Sequence, residues 1–195
     1  EISCSLVGSE MCIRDRYETD INYYVRLNFT SLIEIVDILG GVDVYSDYAF
    51  NTGWESGYEM AVSEGYNHFN GQQALAFCRE RHNLVDGDNQ RGRNQQAVIT
   101  AMLKKVLSPT MLLKAGSILN QVGEGVETNI SQGQLNSLVK YQLSTGAEWT
   151  IQSVAATGFD GDDDPYSMPN DLGYVIYADE TVVDEIIHLT NVVEE

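Results

Sequence analysis

Residues 70–106 read NGQQALAFCRERHNLVDGDNQRGRNQQAVITAMLKKV, and this stretch decides the fold around it. Asn70 is a good N-cap for a short helix over residues 71–79, because its side-chain oxygen can accept a hydrogen bond from a free backbone N–H. After a turn, Asp88 can cap a long helix that runs to about Leu107 and carries apolar residues at helical spacing. The stretch therefore predicts two helices joined by an acidic turn.

The rest of the chain alternates between strand-like and helix-like segments. Runs rich in aromatic and β-branched residues predict strands over residues 22–29, 42–45, 149–155 and 174–177. Capping residues followed by apolar residues at helical spacing predict helices after Thr30, Ser131 and Asp179, and one from Pro109 to about Val122. Residues 46–68 hold little core material and predict an irregular region. The alternation predicts an α/β fold, a layered α-β-α domain with a central mixed sheet flanked by helices.

The composition is that of a folded, acidic protein. The 195 residues are 43% apolar and 21% charged, which suits one domain with a packed core. The net charge of −18 excludes a general nucleic-acid binder and disfavours binding to anionic membranes. The sequence contains no run of 18 apolar residues, so it predicts no membrane-spanning helix. Cys4, Cys12 and Cys78 imply neither a disulfide framework nor a zinc site.

Basic charge is concentrated in one short segment, since four of the seven arginines fall within residues 79–93. Guanidinium groups are planar and permanently charged, and their N–H groups suit phosphate oxygens. The first turn of the second helix adds free backbone N–H groups and a positive dipole end. A turn that joins the two helices would place around one pocket the residues Arg79, Arg81, Arg91 and Gln95. Such a pocket suits a dianion such as pyrophosphate.

The same segment also allows a structural interpretation. Glu80, Asp86 and Asp88 could neutralise the arginines internally and form a salt-bridge network without any ligand. His82 could touch the pocket or lie on the surface. Residues 160–164 (DGDDD) lack the spaced ligands of a calcium loop.

Four pieces of the chain occur in an order and at a spacing that resemble one family. They are INYYVRLNF (21–29), IVDILGGVDVYS (35–46), FNGQQALAFCRERH (69–82) and DGDNQRGRNQQAVITAMLKK (86–105). Together they are similar to the later part of the LytR-CpsA-Psr domain of bacterial cell-envelope assembly. The C-terminal strand and helix carry weaker family motifs.

The resemblance implies a phosphotransferase. Family members attach a glycopolymer (teichoic acid, capsule or a related wall polysaccharide) from an undecaprenyl-pyrophosphate or -phosphate carrier to peptidoglycan. They are anchored in the cytoplasmic membrane and work at its extracellular face. Magnesium assists the reaction, and a hydrophobic cavity holds the polyprenyl tail. The alternatives are a non-catalytic module that binds polyprenyl phosphates and a pyrophosphate hydrolase.

The family's pyrophosphate-binding residues correspond to Arg79, Arg81, Arg91 and Gln95. The three arginines are expected to hold the pyrophosphate and stabilise the leaving phosphate, and Gln95 to donate an orienting hydrogen bond. Asp88 occupies the family's acidic position and could orient an arginine, act as base for the acceptor hydroxyl, or only cap the helix. Capping with orientation is the favoured role.

Two departures from the family pattern affect the prediction. Asn94 stands where the family often has a second arginine, and Arg93 lies one position earlier on another side of the helix. The family's anchor, first strands and metal-binding acids have no counterpart before Ile21. Residues 21–195 are therefore expected to be the C-terminal part of a single such domain. This part is expected to lack the magnesium ligands, and it could be inactive by itself.

Residues 1–20 match no family motif and are set apart from this domain. Residues 1–16 end in SEMCIRDR, which resembles translated sequencing-adapter DNA and predicts a segment that is not natural sequence. The alternative interpretation is a poorly ordered natural terminus.

Overall fold

The computed structural model describes residues 11–112, 125–163 and 173–194. The strands are β1 (Val25–Leu27), β2 (Val42–Ser46), β3 (Phe50–Asn51), β4 (Ala61–Val62), β5 (Gly65–Phe69), β6 (Val126–Thr128), β7 (Gly158–Asp163) and β8 (Gly173–Ala178). The helices are α1 (Phe29–Ile38), α2 (Gly71–Arg79), α3 (Gly87–Val106), α4 (Pro109–Leu112), α5 (Gln132–Thr145) and α6 (Glu180–Glu194). The chain forms two compact units, one of residues 23–153 and one of residues 1–22 with 154–195.

The mixed α/β class predicted from the sequence is confirmed. The strands in the described ranges form four antiparallel pairs, β1–β6, β2–β5, β3–β4 and β7–β8, so the predicted central mixed sheet is not found there as one sheet. The reason lies in what covers the strands. Helices α2 and α3, and not further strands, pack against the β2–β5 pair and bury one face of it.

The core of the unit formed by residues 23–153 lies between that strand pair and the helices. In β2, Val42 and Val44 are buried while Asp43 and Tyr45 face outward, which is the alternation of a half-buried strand. The fully buried Phe77 of α2 packs against the rings of other core residues. The cluster comprises Val36, Val42, Val44, Val62, Phe69, Ala74, Phe77, Cys78 and Val98.

The helix caps follow the sequence closely. Asn70 and Ser131 cap α2 and α5 as predicted. Each also forms a reciprocal capping box with the residue three positions on, Gln73 and Gln134 respectively. The cap predicted at Thr30 is wrong. Asn28 caps α1 instead, because its side chain accepts a hydrogen bond from the backbone N–H of Ser31 at 2.8 Å.

The end of α1 requires glycine. Gly41 has φ of +82°, and a Cβ there would lie 2.5 Å from Nε2 of His68 and 2.8 Å from the carbonyl oxygen of Phe69. Only glycine fits this close approach without displacing β5. The sharp turn lets β2 start immediately after α1 and pair with β5.

The prediction that residues 46–68 are irregular is wrong. They contain the β3–β4 pair, a 3₁₀ turn at Trp54–Ser56 and most of β5. Buried hydroxyl groups close the loop between β3 and β4. The hydroxyl of Thr52 donates to the carbonyl of Tyr58 at 2.7 Å and accepts from the N–H of Met60 at 2.8 Å, and the hydroxyl of Ser56 donates to the carbonyl of Gly53 at 2.6 Å. Such side-chain-to-backbone bonds leave little trace in a hydropathy pattern.

Several other elements differ from prediction. Residues 149–155 form no strand, whereas β6 and β7 were not predicted. The helix after Pro109 is seen as far as Leu112, and its predicted continuation lies outside the described residues.

The second unit contains the β7–β8 pair and α6. β7 (GFDGDD) has no hydrophobic alternation, and its partner supplies the contacts: the hydroxyls of Tyr174 and Tyr177 donate to Asp160 and Asp163. These bonds occupy two of the acids in the DGDDD segment. The N–H of Thr181 donates to Asp179 at 3.0 Å, which supports the predicted cap of α6.

Candidate functional site

A cavity of about 540 Å³ lies in the unit formed by residues 23–153, next to the C-terminal end of α2. Its wall includes the end of β1, the start of α1, the segment that leaves α2 and one face of α3. The whole predicted pyrophosphate-binding set lines this cavity, which we call the arginine cavity: Arg79, Arg81, Arg91 and Gln95.

The packing of α2 against α3 places these side chains. The last carbonyl groups of a helix have no partner inside the helix, and α3 supplies one for two of them. Asn94 donates to the carbonyl of Phe77 at 3.4 Å, and Gln95 donates to the carbonyl of Cys78 at 3.2 Å. The end of α2, with Arg79 as its final residue, is thereby held beside the first half of α3.

Arg79 lies over an aromatic ring. Its guanidinium carbon is 5.1 Å from the ring centroid of Phe29, the first residue of α1. A cation–π contact of this kind holds the side chain but leaves its charge uncompensated. Among the described residues no carboxylate forms an ion pair with Arg79, so its N–H groups can donate to an anion in the cavity.

Arg81 and Arg91 share one carboxylate. Oδ1 of Asp88 lies 2.9 Å from Nε of Arg81 and 3.4 Å from Nη2 of Arg91. All three side chains are between one third and just over one half exposed, so solvent screens the interaction. Asp88 is therefore placed where it can orient the two guanidinium groups, and each retains N–H donors for a second partner.

Asp88 does not cap α3, and that part of its predicted role is wrong. The helix begins at Gly87, whose φ is +47°, and Asp86 occupies the N-cap position without a side-chain cap bond. Asp86 instead accepts from Arg93 Nη2 at 2.6 Å, and this hydrogen bond lowers the pKa of the Asp86 carboxyl below its ordinary value. Because Arg93 is tied to Asp86 and Gln90, it lies outside the arginine cavity and lines another one.

The salt-bridge interpretation is thus realised in part. Asp86 and Asp88 neutralise three of the four clustered arginines, but Arg79 has no such partner in the described part of the chain. An open cavity remains beside them. The arrangement therefore combines oriented cations with space for an anion.

Sequence reasoning did not identify two features of the wall. His82, which was expected either at the pocket or on the surface, lies in the wall, but its pairing with Glu55, with 2.6 Å between Nε2 and Oε2, was not predicted. The sequence predicts Phe29 only as the end of a strand, although an aromatic residue close to a cation site is a signal for a cation–π contact. The cavity also has an apolar side, made by Leu27, Phe29, Leu32, Leu75, Val98 and Ile99.

The predicted apolar stripe on α3 divides between core and cavity. Val98 is 1% exposed and belongs to the core, but it also borders the cavity. Ile99 is 55% exposed and lines the cavity, whereas Met102 packs against the core.

Cys78 is a buried thiol in the cavity wall. Its burial raises the pKa of the thiol to about 12, which keeps it protonated.

Glu80 is the buried acid of the site. Burial raises the pKa of its carboxyl, but backbone N–H groups, that of Gly53 first, outweigh this effect and the pKa is lowered overall. A carboxyl whose folded pKa is lowered stabilises the fold above its unfolded pKa, and this stability is lost as the pH falls through the folded value.

We therefore expect the stability difference between wild type and Glu80→Gln to depend on pH. Urea unfolding should show the wild type more stable near neutral pH, and the difference should shrink at about pH 3, below the ordinary glutamate pKa. A difference that is constant with pH would contradict an ionised, hydrogen-bonded Glu80.

The described residues do not fit a magnesium site. They contain no group of three or more His, Cys, Asp or Glu side chains that could hold a metal ion. Of the cavity acids, Glu55 pairs with His82 and Glu80 accepts backbone hydrogen bonds. The requirement for magnesium stays a prediction from the resemblance.

Comparison with known proteins places this geometry in context. A family model described as the LytR_cpsA_psr family matches residues 5–184. The match begins inside the N-terminal segment that the sequence analysis set apart, and the domain boundary at residue 20 stays a prediction. In the described ranges, no helix has both the length and the apolar character needed to cross a membrane.

Two curated relatives and one solved structure illustrate the similarity. The polyisoprenyl-teichoic acid–peptidoglycan teichoic acid transferase TagU of Bacillus mycoides is 38% identical over 120 residues, which are 62% of this chain and 38% of that protein. Biofilm regulatory protein A of Streptococcus mutans is 33% identical over 123 residues, 62% of this chain and 30% of that protein. The structure of TagT bound to LI-WTA superposes with a TM-score of 0.66 at 20% identity, covering 94% of this chain and 64% of that one.

Proposed function

The chain belongs to the LytR-CpsA-Psr family. From this premise we propose that the protein transfers a glycopolymer from a polyprenyl-pyrophosphate carrier to peptidoglycan. The observation that carries the proposal is the convergence of three arginines and one amide on a cavity with an apolar side. The names of the relatives support a transferase of teichoic acid or a related polymer. We propose that the protein acts at the outer face of the bacterial cytoplasmic membrane.

The proposed reaction is a phosphoryl transfer in which the acceptor hydroxyl oxygen forms a bond to the phosphorus that carries the glycan. The bond from that phosphorus to the polyprenyl-phosphate oxygen breaks, and polyprenyl phosphate leaves with the electron pair. The proton of the acceptor hydroxyl passes to a base or to the phosphate oxygen of the leaving group. Such reactions depend on positioning and on neutralising charge on the phosphate oxygens. Arg79, which forms no ion pair among the described residues, would meet one phosphate, while Arg81 and Arg91 would hold the other.

The apolar side of the cavity suits the lipid part of the carrier. Leu27 of β1 and Ile99 of α3 are both more than one third exposed, although large aliphatic side chains normally gain by burial. A polyprenyl chain laid along them would cover that surface while its pyrophosphate reached the arginines. This continuity favours a lipid-linked anion over a free inorganic one.

A transfer assay tests the proposal. The complete gene product, incubated with lipid-linked glycan, magnesium and peptidoglycan, should form a covalent glycan–peptidoglycan adduct and release polyprenyl phosphate. Tight binding of the lipid without an adduct would favour a binding module. Release of phosphate without an acceptor would favour a hydrolase.

We also expect Asp88→Asn to separate the two remaining roles of Asp88. If the carboxylate only orients Arg81 and Arg91, the amide should change adduct formation by about two- to fivefold, the effect of one exposed ion pair. If the carboxylate is the base for the acceptor hydroxyl, the rate should fall by about 10²-fold or more. The measurement is the initial rate of adduct formation, and the orienting role predicts the smaller effect.

A further inference from the structure

Glu80 lies in the sequence between two cavity arginines, yet its carboxylate forms no ion pair with the guanidinium group of either one. It is 3% exposed and occupies the C-cap position of α2. In the described ranges Arg81 pairs with Asp88, and Arg79 lies over Phe29. Burying a carboxylate costs free energy unless hydrogen bonds satisfy its oxygens. The hydrogen-bond partners of Glu80 therefore indicate which segments it stabilises.

The two carboxylate oxygens of Glu80 bind two different segments. Oε2 accepts from the backbone N–H of Gly53 at 2.6 Å. Oε1 accepts from the N–H of Arg81 at 2.9 Å and of Asn83 at 3.0 Å. Hydrogen bonds to a charged acceptor are among the stronger ones in proteins. One side chain thereby joins the segment after α2 to the turn that begins at residue 53.

Both segments form the wall of the arginine cavity. Gly53 is the N-cap of the 3₁₀ turn Trp54–Ser56, and Glu55 and Ser56 of that turn line the cavity. The turn also approaches Arg79 closely, since a Cβ on Gly57 would lie 3.3 Å from Nη1 of Arg79. Movement of this turn would therefore give the Arg79 guanidinium more room.

We propose that Glu80 is a positioning residue that fixes the spacing of Arg79 and Arg81, and so makes the cavity prefer a diphosphate to a single phosphate. This inference rests on the proposed function of the cavity. Two phosphate groups joined by one oxygen present their charges at a set separation. Cations held at a matching separation bind both groups without first being ordered, and preorganisation of this kind raises affinity selectively for the matching ligand.

The test compares two probes on the 195-residue chain. Isothermal titration calorimetry measures the Kd of inorganic pyrophosphate and of inorganic phosphate for wild type, Glu80→Gln and Glu80→Ala. A variant that is only less stable loses both affinities in proportion to its folded fraction, so the ratio of the two Kd values stays constant. The ratio therefore reports positioning and not stability.

We expect the wild type to prefer pyrophosphate and Glu80→Ala to reduce this preference by about tenfold, equivalent to one charge-assisted hydrogen bond on the matched ligand. Glu80→Gln retains one acceptor oxygen and should fall between the two. Glu64→Gln, which removes an exposed carboxylate outside the cavity, should leave the ratio unchanged.

The outcomes are distinct. If the wild type prefers pyrophosphate and both Glu80 variants keep its ratio, the positioning role is overturned while the proposed function stands. If the wild type does not bind pyrophosphate, the proposed function fails and the positioning role fails with it. Should Glu80→Ala not fold, the ratio for Glu80→Gln decides.

Discussion

Replacing Arg79 by alanine is expected to weaken pyrophosphate binding by about 10- to 100-fold, because a hydrogen bond to a charged group contributes about 1.5–3 kcal/mol and each 1.4 kcal/mol is tenfold in Kd. Arg79 should show a large effect because its guanidinium has no carboxylate partner in the described residues and rests over Phe29. The whole of its donor capacity facing the cavity is available to the ligand. Calorimetric titration of the 195-residue chain with pyrophosphate measures the change.

Arg93→Ala is the matched control for this prediction. It removes an arginine of the same cluster, but one that is bound to Asp86 and Gln90 and lies outside the arginine cavity. We expect its Kd to stay within about twofold of wild type, as for most surface substitutions. Equal effects of Arg79→Ala and Arg93→Ala on the Kd of pyrophosphate would remove Arg79 from the site.

In the complete gene product, Arg79→Ala and Arg91→Ala should each abolish adduct formation without loss of the fold.

Replacing Phe77 by alanine is expected to cost about 3–5 kcal/mol of unfolding free energy, the range for a large aromatic removed from a packed core. Phe77 is fully buried, and its ring centroid lies 5.3 Å from that of Phe69 and 5.8 Å from that of Phe50. The substitution leaves a cavity where α2 meets the β2–β5 and β3–β4 pairs. Urea unfolding followed by circular dichroism measures the loss.

Leu138→Ala is the control for the stability prediction. This residue of α5 is 45% exposed, so its truncation should change the unfolding free energy by about 0.5 kcal/mol or less. A loss of below about 1 kcal/mol in Phe77→Ala would mean that the core around α2 is not closely packed. The position of Arg79, two residues further along the same helix, would then lack a rigid support.

The local elements were predictable where short-range chemistry determines them. Asn70 and Ser131 cap helices through partners three residues away, and both caps were predicted from sequence alone. The convergence of the arginines follows from the same kind of information. Arg91 and Gln95 are one helical turn apart, and a short turn joins their helix to the one that ends at Arg79.

The features that were missed depend on partners distant in the chain. β7 is a strand because β8 lies beside it, and the 53–56 turn is held by Glu80, 27 residues away from Gly53. The misplaced cap at Asp88 has a different origin, because its partners are close in the chain. Its carboxylate forms ion pairs with Arg81 and Arg91, and the helix starts at Gly87, one residue before Asp88. Spacing along the sequence shows which side chains can come into contact, but it does not show which of several carboxylates forms an ion pair with each arginine.

The central claim is that three guanidinium groups bind one pyrophosphate in the arginine cavity. Side-chain NMR of the ¹⁵N-arginine-labelled chain tests it most directly, since each Nε–H gives its own signal. On titration with pyrophosphate, the signals of Arg79, Arg81 and Arg91 should shift together and saturate with one Kd, while that of Arg26, paired with Glu127 outside the cavity, stays in place. Independent shifts that do not saturate, or a shift confined to Arg26 or Arg93, would contradict the claim.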